Sequence, residues 1–500
     1  MHRACSKSAS PKSACSKSVS PKSASPKWVC PKSSFLIGCS IAIALGSHPT
    51  FTFAKNAADS WAGAPTTATQ PAAPDTSTVE DRTYALPELL KLALSINPQT
   101  RETEEQAYQA SLATRLVKSQ YAPQISVNAL GGIQHTPLAI PPTVSAKGYF
   151  VSSSREVLPT LEVKWLLLDF GRRKGQLEEA QHNANAAQSA VLGAQEKLVY
   201  DVSEAYLETV SAQGRIHAAQ KALDAAALTE QAVLDQRKHG RATVVQVAEA
   251  QRQTAAMRLA LTKVTGDADT AFAGLVATIG LPPESHFEIA PPADIAPSAS
   301  LKPLNTLVDE ALESRPDIIA AQDKLSASDA KIDTAKAAYR PTISLAAQVF
   351  QNIGEVSSDG SPYSSINRTG NSVFVSFEWS LFDGGAKATN VAVALSEKSA
   401  AEDSLAAAKH TASQQVVQAY DSLKTSLANR EQALAYTKAS DIAYQATLSS
   451  YRRGLSNVTD LTNNEAVLAQ AEADQEDANA NVQIAQAALE LALGHRPGSP

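Results

Sequence analysis

Trp165-Leu166-Leu167-Leu168-Asp169-Phe170-Gly171 returns 214 positions later as Trp379-Ser380-Leu381-Phe382-Asp383-Gly384-Gly385. Tyr121-Ala122-Pro123-Gln124-Ile125-Ser126 returns as Tyr339-Arg340-Pro341-Thr342-Ile343-Ser344, at an offset of 218. Outside these motifs, Leu86 and Asn97-Pro98 match Leu304 and Arg315-Pro316, while Tyr206, Gly240 and Gly280 match Tyr420, Gly454 and Gly494. The chain is therefore one unit written twice. The offset changes once, between Tyr121 and Trp165, where Pro137, Pro141, Pro142 and Gly148 collect in the first half and Gly354, Gly360, Pro362 and Gly370 in the second. Changes of length belong in exposed loops, so these residues predict a turn in each half.

On either side of each turn the residues alternate, apolar with polar, which is the period of a strand with two different faces. Ile125, Val127 and Ala129 alternate with Gln124, Ser126 and Asn128, and Leu161, Val163, Trp165 and Leu167 with Glu162 and Lys164. Ile343, Leu345, Ala347 and Val349 alternate with Ser344 and Gln348, and Val373, Val375, Phe377, Trp379 and Leu381 with Ser376, Glu378 and Ser380. Four strands per chain follow, at about 122–135, 157–169, 340–352 and 371–383.

The remainder reads as long helix. Ala180, Ala184, Ala187, Val191, Ala194 and Leu198 recur in steps of four and three, a coiled-coil seam with small knobs, and Ala394, Ala401, Leu405, Ala408 and Ala412 give a weaker second series. Gly171 to His239 holds no proline over 69 residues, a length of about 100 Å as helix. Gly240 breaks it, and the chain returns from Thr243 to Ile279, so hairpins are expected over 171–279 and 385–493. The 23 residues from Pro98 to Gln120 would extend the shorter returning arm.

The first 54 residues carry seven basic groups and no acid in a Ser-Pro-Lys run, followed by the apolar segment Phe35 to Gly46 and the small-residue pattern Thr52-Phe53-Ala54. This reads as a removed secretory signal, too short to span a bilayer. Leu36-Ile37-Gly38-Cys39 is a competing lipoprotein signal. Cys5, Cys15, Cys30 and Cys39 all lie in the leader, so cleavage after Ala54 leaves no disulfide or thiolate metal site. Losing seven positive charges takes the formal charge from −6 to −13, which disfavours nucleic acid. The division is a leader (1–54), an Ala/Pro/Thr linker (55–80), a first unit (81–281), a linker (282–303), a second unit (304–494) and a tail (495–500). The histidines lack metal-ligand spacing, and no nucleotide loop or nucleophile elbow occurs, so no catalytic residue or cofactor is expected.

Only 5% of residues are aromatic, so the chain offers nothing but narrow alanine-lined helices to cover the apolar strand faces. Outer-membrane lipid would cover them, with Glu162, Lys164 and Glu378 facing a wet lumen. A sheet in lipid must have no free edge, and four strands cannot close. Three copies supply twelve; four copies are not excluded on this ground alone.

The doubled helix, strand-pair and helical-hairpin unit, with Tyr-x-Pro opening one strand and aromatic-apolar-Asp-x-Gly closing the next, resembles the TolC-like outer-membrane efflux proteins, over about Leu86 to Gly494. The resemblance implies a mainly α fold with a transmembrane β part: a trimeric 12-stranded β-barrel continuous with a periplasmic α-helical coiled-coil barrel. It implies a passive exit duct of a tripartite efflux or type I secretion system, not an enzyme, working with a periplasmic adaptor (membrane fusion) protein and an inner-membrane pump. It places adaptor docking at His239, Gly240, Arg241 and Ala242 and at Arg453, Gly454, Leu455 and Ser456. His239 and Arg453 stand where the family usually has an apolar residue. Asp460 matches a gate carboxylate and Tyr451 a latching tyrosine, with Gln246 where the family has that tyrosine's aspartate partner. Asn463 stands at the family's second acidic position, which implies a weaker cation block. Trp165 and Trp379, near the ends of apolar-faced strands, suit an interfacial aromatic girdle. The alternative reading is a soluble periplasmic coiled-coil scaffold or pump adaptor, on the strength of the alanine seams.

Overall fold

The computed structural model describes residues 82–141, 143–144, 146–291 and 302–495. The expected leader, with Cys39 and the cleavage after Ala54, and the linker over 55–80 lie outside these residues. The first unit runs β1 (Thr83–Tyr84), α1 (Leu86–Ile96), α2 (Pro98–Ser119), β2 (Gln124–Ala139), β3 (Tyr149–Leu168), α3 (Arg172–Lys238), α4 (Val244–Ile279) and β4 (Glu288–Ile289). The second runs α5 (Leu304–Ser314), α6 (Pro316–Ala337), β5 (Thr342–Ser358), β6 (Ser364–Glu378), α7 (Ala386–Arg452) and α8 (Val458–Ala492).

The two 67-residue helices α3 and α7 are each about 100 Å long. Neither partner of α3 matches that length, so α2 (22 residues) and α4 (36 residues) both pack along it, and α6 and α8 serve in the same way next to α7. Across the layer the order is α2 or α4, then α3, then α6 or α8, then α7. Small seam residues permit this close packing. Ala186, Val191, Leu198, Val202 and Tyr206 are buried along α3, and Ala394, Ala412 and Val416 along α7.

Two short helices thicken the wall midway. Leu89 and Ala93 of α1 bury against Leu198, Val202, Tyr206, Leu275 and Ile279, and Leu307 and Ala311 of α5 against Val416, Leu423 and Leu489. Asn97 ends α1 and starts α2: its side chain accepts from the N–H groups of Gln99 and Thr100, and Pro98 supplies the fixed φ of a first helical residue. β1 and β4 form a two-residue parallel ladder, Thr83 to Glu288 and Tyr84 to Ile289, and the Tyr206 hydroxyl donates to the Ala290 carbonyl beside it. This clamp was invisible in the sequence, because two residues define no period.

The other sheet has strand order β2-β3-β5-β6, antiparallel throughout. Its strands run longer and its turns are tighter than expected. β3 begins at Tyr149 rather than near 157, and β5 continues to Ser358 rather than 352. Pro137, Gly354 and Gly370, read as turn residues, lie inside strands. Pro137 is tolerated because β2 is an edge strand and can spare an N–H. β6 starts at Ser364 and ends at Glu378, five residues short of Asp383, since its last partner is Thr342 and Pro341 offers no N–H to continue the ladder. β3 reaches Leu168 through a bulge beside Leu166.

Candidate functional site

The register puts odd-numbered residues of all four strands on one face. Ile125 opposes Val163, Trp165 opposes Leu345, and Leu345 opposes Val375. Val127 is 76% and Val375 67% exposed, so no described residue of this chain covers the face. Along β3 the apolar band runs from Trp165 to Val157, about 26 Å of strand, the scale of outer-membrane hydrocarbon. Beyond it the same face turns polar with Arg155, Glu355 and His135, and Arg155 stacks on Tyr363 at 4.6 Å. At the band's helical end, the indole N–H groups of Trp165 and Trp379 donate to the carbonyls of Tyr121 and Tyr339 at 2.8 and 3.0 Å.

The even-numbered face carries Glu162 and Lys164, paired at 2.9 Å, with Gln348, Arg368 and Glu378. It is less uniformly polar than the alternation suggested: Leu130, Leu158, Phe350 and Phe374 also lie on it.

Below the sheet, Asp169 caps the start of α3 through the N–H groups of Gly171 and Arg173. The Arg173 guanidinium pairs with Asp169 at 2.8 Å, donates to the carbonyls of Gln120 and Leu167, and stacks on Tyr121 at 4.5 Å. Lys387 is its counterpart, bonded to Ser380 and lying over Tyr339.

At the far ends of the hairpins the two turns are copies of one geometry. Gly240 and Gly454 adopt φ of 70° and 74°, a left-handed conformation that costs other residues about 1–2 kcal/mol. The N–H groups of Arg241 and Leu455 reach back to the carbonyls of Gln236 and Ser450, at 2.8 and 2.9 Å, closing both helices in the same way. His239, Gly240, Arg241, Arg453, Gly454 and Leu455 are exposed, while Ala242 and Ser456 are half-buried. Lys238 pairs with Asp235, and Arg453 Nε donates to the Ser449 carbonyl, which suits cations at a helix C-terminus.

A small core of Val233, Ala250 and Val458, flanked by Ala242, Val247 and Tyr451, pins the two turns to each other. The Tyr451 hydroxyl bonds to Gln236, and burial pushes its phenol above the usual range. The Gln246 amide oxygen is engaged in the capping box with Thr243, accepting from the Thr243 N–H at 2.8 Å. Asp460 is exposed in the first turn of α8; its N–H donates to the Asn457 cap at 2.7 Å and its carboxylate accepts from Ser456 at 3.3 Å.

Between this end and the midpoint lies a residue that sequence reasoning missed. Glu465 is 3% exposed, neither carboxylate oxygen has a partner, and burial pushes its carboxyl up to about 7. The Gln253 side-chain nitrogen is buried and unpartnered as well. Seam spacing from Val458, Leu461 and Thr462 was the available signal for Glu465. Among the described residues, no His/Cys/Asp/Glu group could hold a metal ion, and no helix is long and apolar enough to cross a membrane.

The family model described as outer membrane efflux protein matches residues 89–281 and 307–495. Outer membrane protein OprJ of Pseudomonas aeruginosa is 28% identical over 439 residues, 83% of this chain and 86% of OprJ. Protein CyaE of Bordetella pertussis is 25% identical over 392 residues, 78% and 79% of the two chains. Among solved structures, the outer-membrane channel OprN superposes with a TM-score of 0.68 at 24% identity, covering 85% of this chain and 94% of that one. CusC gives 0.68 at 21% identity over 85% and 97%. At these identities, the two structures speak for the fold alone.

Proposed function

The chain belongs to the outer membrane efflux protein family, and from that premise we propose how copies of it assemble into a conducting duct. It is an outer-membrane exit duct for efflux or secretion. In the proposed assembly three copies join edge to edge, β6 of one beside β2 of the next, into a 12-stranded barrel. The odd face meets lipid, with Trp165 and Trp379 as its girdle at the periplasmic interface, and the even face lines the lumen. The helices continue below as a periplasmic tube, ending in the Gly240 and Gly454 turns, which meet a periplasmic adaptor of an inner-membrane pump.

One observation carries this reading. The four-stranded sheet leaves the outer edges of β2 and β6 unpaired while its apolar face lies bare. In hydrocarbon each unpaired backbone group costs several kcal/mol, and only closure removes the edges. The helical layer repeats the pattern: α7 exposes Leu395, Leu434 and Ile442 at one side, and α2 and α4 expose Leu112, Leu116 and Leu259 at the other. A soluble scaffold or adaptor would have to cover the apolar face with its own polypeptide, and no described residue packs there. Three Asp460 carboxylates around the axis would repel one another and attract cations, forming the gate.

The mature chain purified in detergent tests the assembly. A mass of three chains and a β component in circular dichroism are expected; a monomer without β signal would end the reading.

A further inference from the structure

Phe350 stands mid-strand on β5, on the even face, opposite Thr160 of β3 and Gly370 of β6. A Cβ built on Gly370 would lie 2.3 Å from the ring's Cζ and 2.7 and 2.9 Å from its two Cε atoms. The ring thus lies across Gly370, in space that any other residue would fill. Glycine inside a strand weakens it and marks a close approach, and an aromatic ring over the gap shields the bared backbone. Toward β3 the β-branched Thr160 offers no such gap. The other aromatic facing this way along β5 and β6, Phe374, opposes Ala346 and is 63% exposed, whereas Phe350 is half-buried.

We propose that Gly370 is a recess that holds the Phe350 ring flat against the lumen wall, and that this pair sets the bore of the barrel at mid-height. The proposal rests on the reading that the even face lines the lumen. With Gly370 filled, the ring turns toward the axis, because the adjoining levels carry Gln348, Ser372, Asn352 and Arg368 on the same face. In a closed trimer three rings would do so at one height. Whether Phe350 obstructs bulky molecules in the barrel is then decided by the residue opposite it: over Gly370 the ring lies clear of the axis, and over a larger residue it does not.

The chain has no cysteine after Cys39, so an introduced thiol reports alone, with the unsubstituted chain as the blank. Ser344, on the same face and nearer the helices, bonds to Ser376 at 2.7 Å. Ser344→Cys on intact cells is labelled from outside with a polyethylene-glycol maleimide and with N-ethylmaleimide, which reads the barrel whatever the state of the periplasmic gate. Gly370→Val, and more weakly Gly370→Ala, is expected to slow the bulky reagent by roughly tenfold, the rate change of about 1.4 kcal/mol in barrier, and to leave the small one unchanged. Adding Phe350→Ala restores the rate. Phe350→Ala alone, which needs no change at Gly370, is expected to alter it by less than about twofold, about 0.4 kcal/mol. No slowing, slowing that survives loss of the ring, or tenfold faster labelling on removing Phe350 alone overturns the recess. If Ser344→Cys reacts with neither reagent in an otherwise unaltered barrel, the lumen assignment fails first and the recess with it.

Discussion

Trp165 donates its indole N–H to the carbonyl oxygen of Tyr121 across 2.8 Å, tying the end of β3 to the residue just past α2. Trp379 repeats the contact on Tyr339 at 3.0 Å. The bond spans 44 residues in the first half and 40 in the second, so the four-residue difference between the halves is absorbed in the hairpin above while the junction stays constant. Trp165→Phe keeps an aromatic ring and removes the donor. A loss of about 1 kcal/mol in stability is expected, read as an earlier thermal transition of the detergent-solubilised protein; an unchanged transition would leave the indole with packing as its whole role.

The two halves should differ in what their junction cations contribute. Arg173 and Asp169 are 5% and 7% exposed, so Arg173→Ala strands a buried carboxylate and should cost about 3–5 kcal/mol. Asp383 is exposed and Lys387 only half-buried, so Lys387→Ala should cost at most about 1 kcal/mol. Thermal or denaturant unfolding of the two variants compares them directly. Equal losses would mean that a neighbouring copy buries the second junction as deeply as the first.

Glu465 gives the helical layer a pH dependence of predictable sign. Burial raises its carboxyl from 4.5 to about 7, so the folded form holds the proton that the unfolded chain has released. Its contribution is full below about pH 4.5 and declines as pH rises through about 7. The titratable neighbour is Tyr444, whose phenol is pushed up by its own burial and then by Glu465. Glu465→Gln should flatten the stability profile between pH 5 and 8 and raise stability at the alkaline end, by up to about 3 kcal/mol. A profile that keeps its slope would assign the dependence to another group.

Asp460→Ala should raise cation conductance or weaken block by divalent cations in planar bilayers, because in the proposed trimer three Asp460 carboxylates form the constriction where a divalent cation would lodge. The exposed carboxylate is held by one long bond from the Ser456 hydroxyl, at 3.3 Å, so the change should cost little stability. Unaltered conductance and block would take Asp460 out of the gate.

What the sequence disclosed and what it concealed divide along physical lines. The repeat, the alternating strands and the Gly240 and Gly454 breaks were legible because each rests on periodicity or on one residue's backbone freedom. Family, localisation and duct function followed from the doubled motifs and agree with the comparisons. Gly354, Gly370 and Pro137 misled because glycine and proline signal a turn only when nothing across the sheet explains them; at Gly370 the explanation is a ring 20 positions away. The family match gives Gln246 its position, and the capping box that engages its amide oxygen depends on a side-chain rotamer that no spacing reveals. Glu465 went unnoticed because a carboxylate among alanines looks solvated until a second helix is laid over it.

The bare flanks of β2 and β6 bear on how the molecule is made as well as on what it becomes. A solitary copy presents two adhesive strands and a greasy sheet to whatever it meets first, and foreign partners compete with its own kind. Productive maturation should therefore steepen with copy number and depend on escorts that shelter newly exported chains until their siblings arrive.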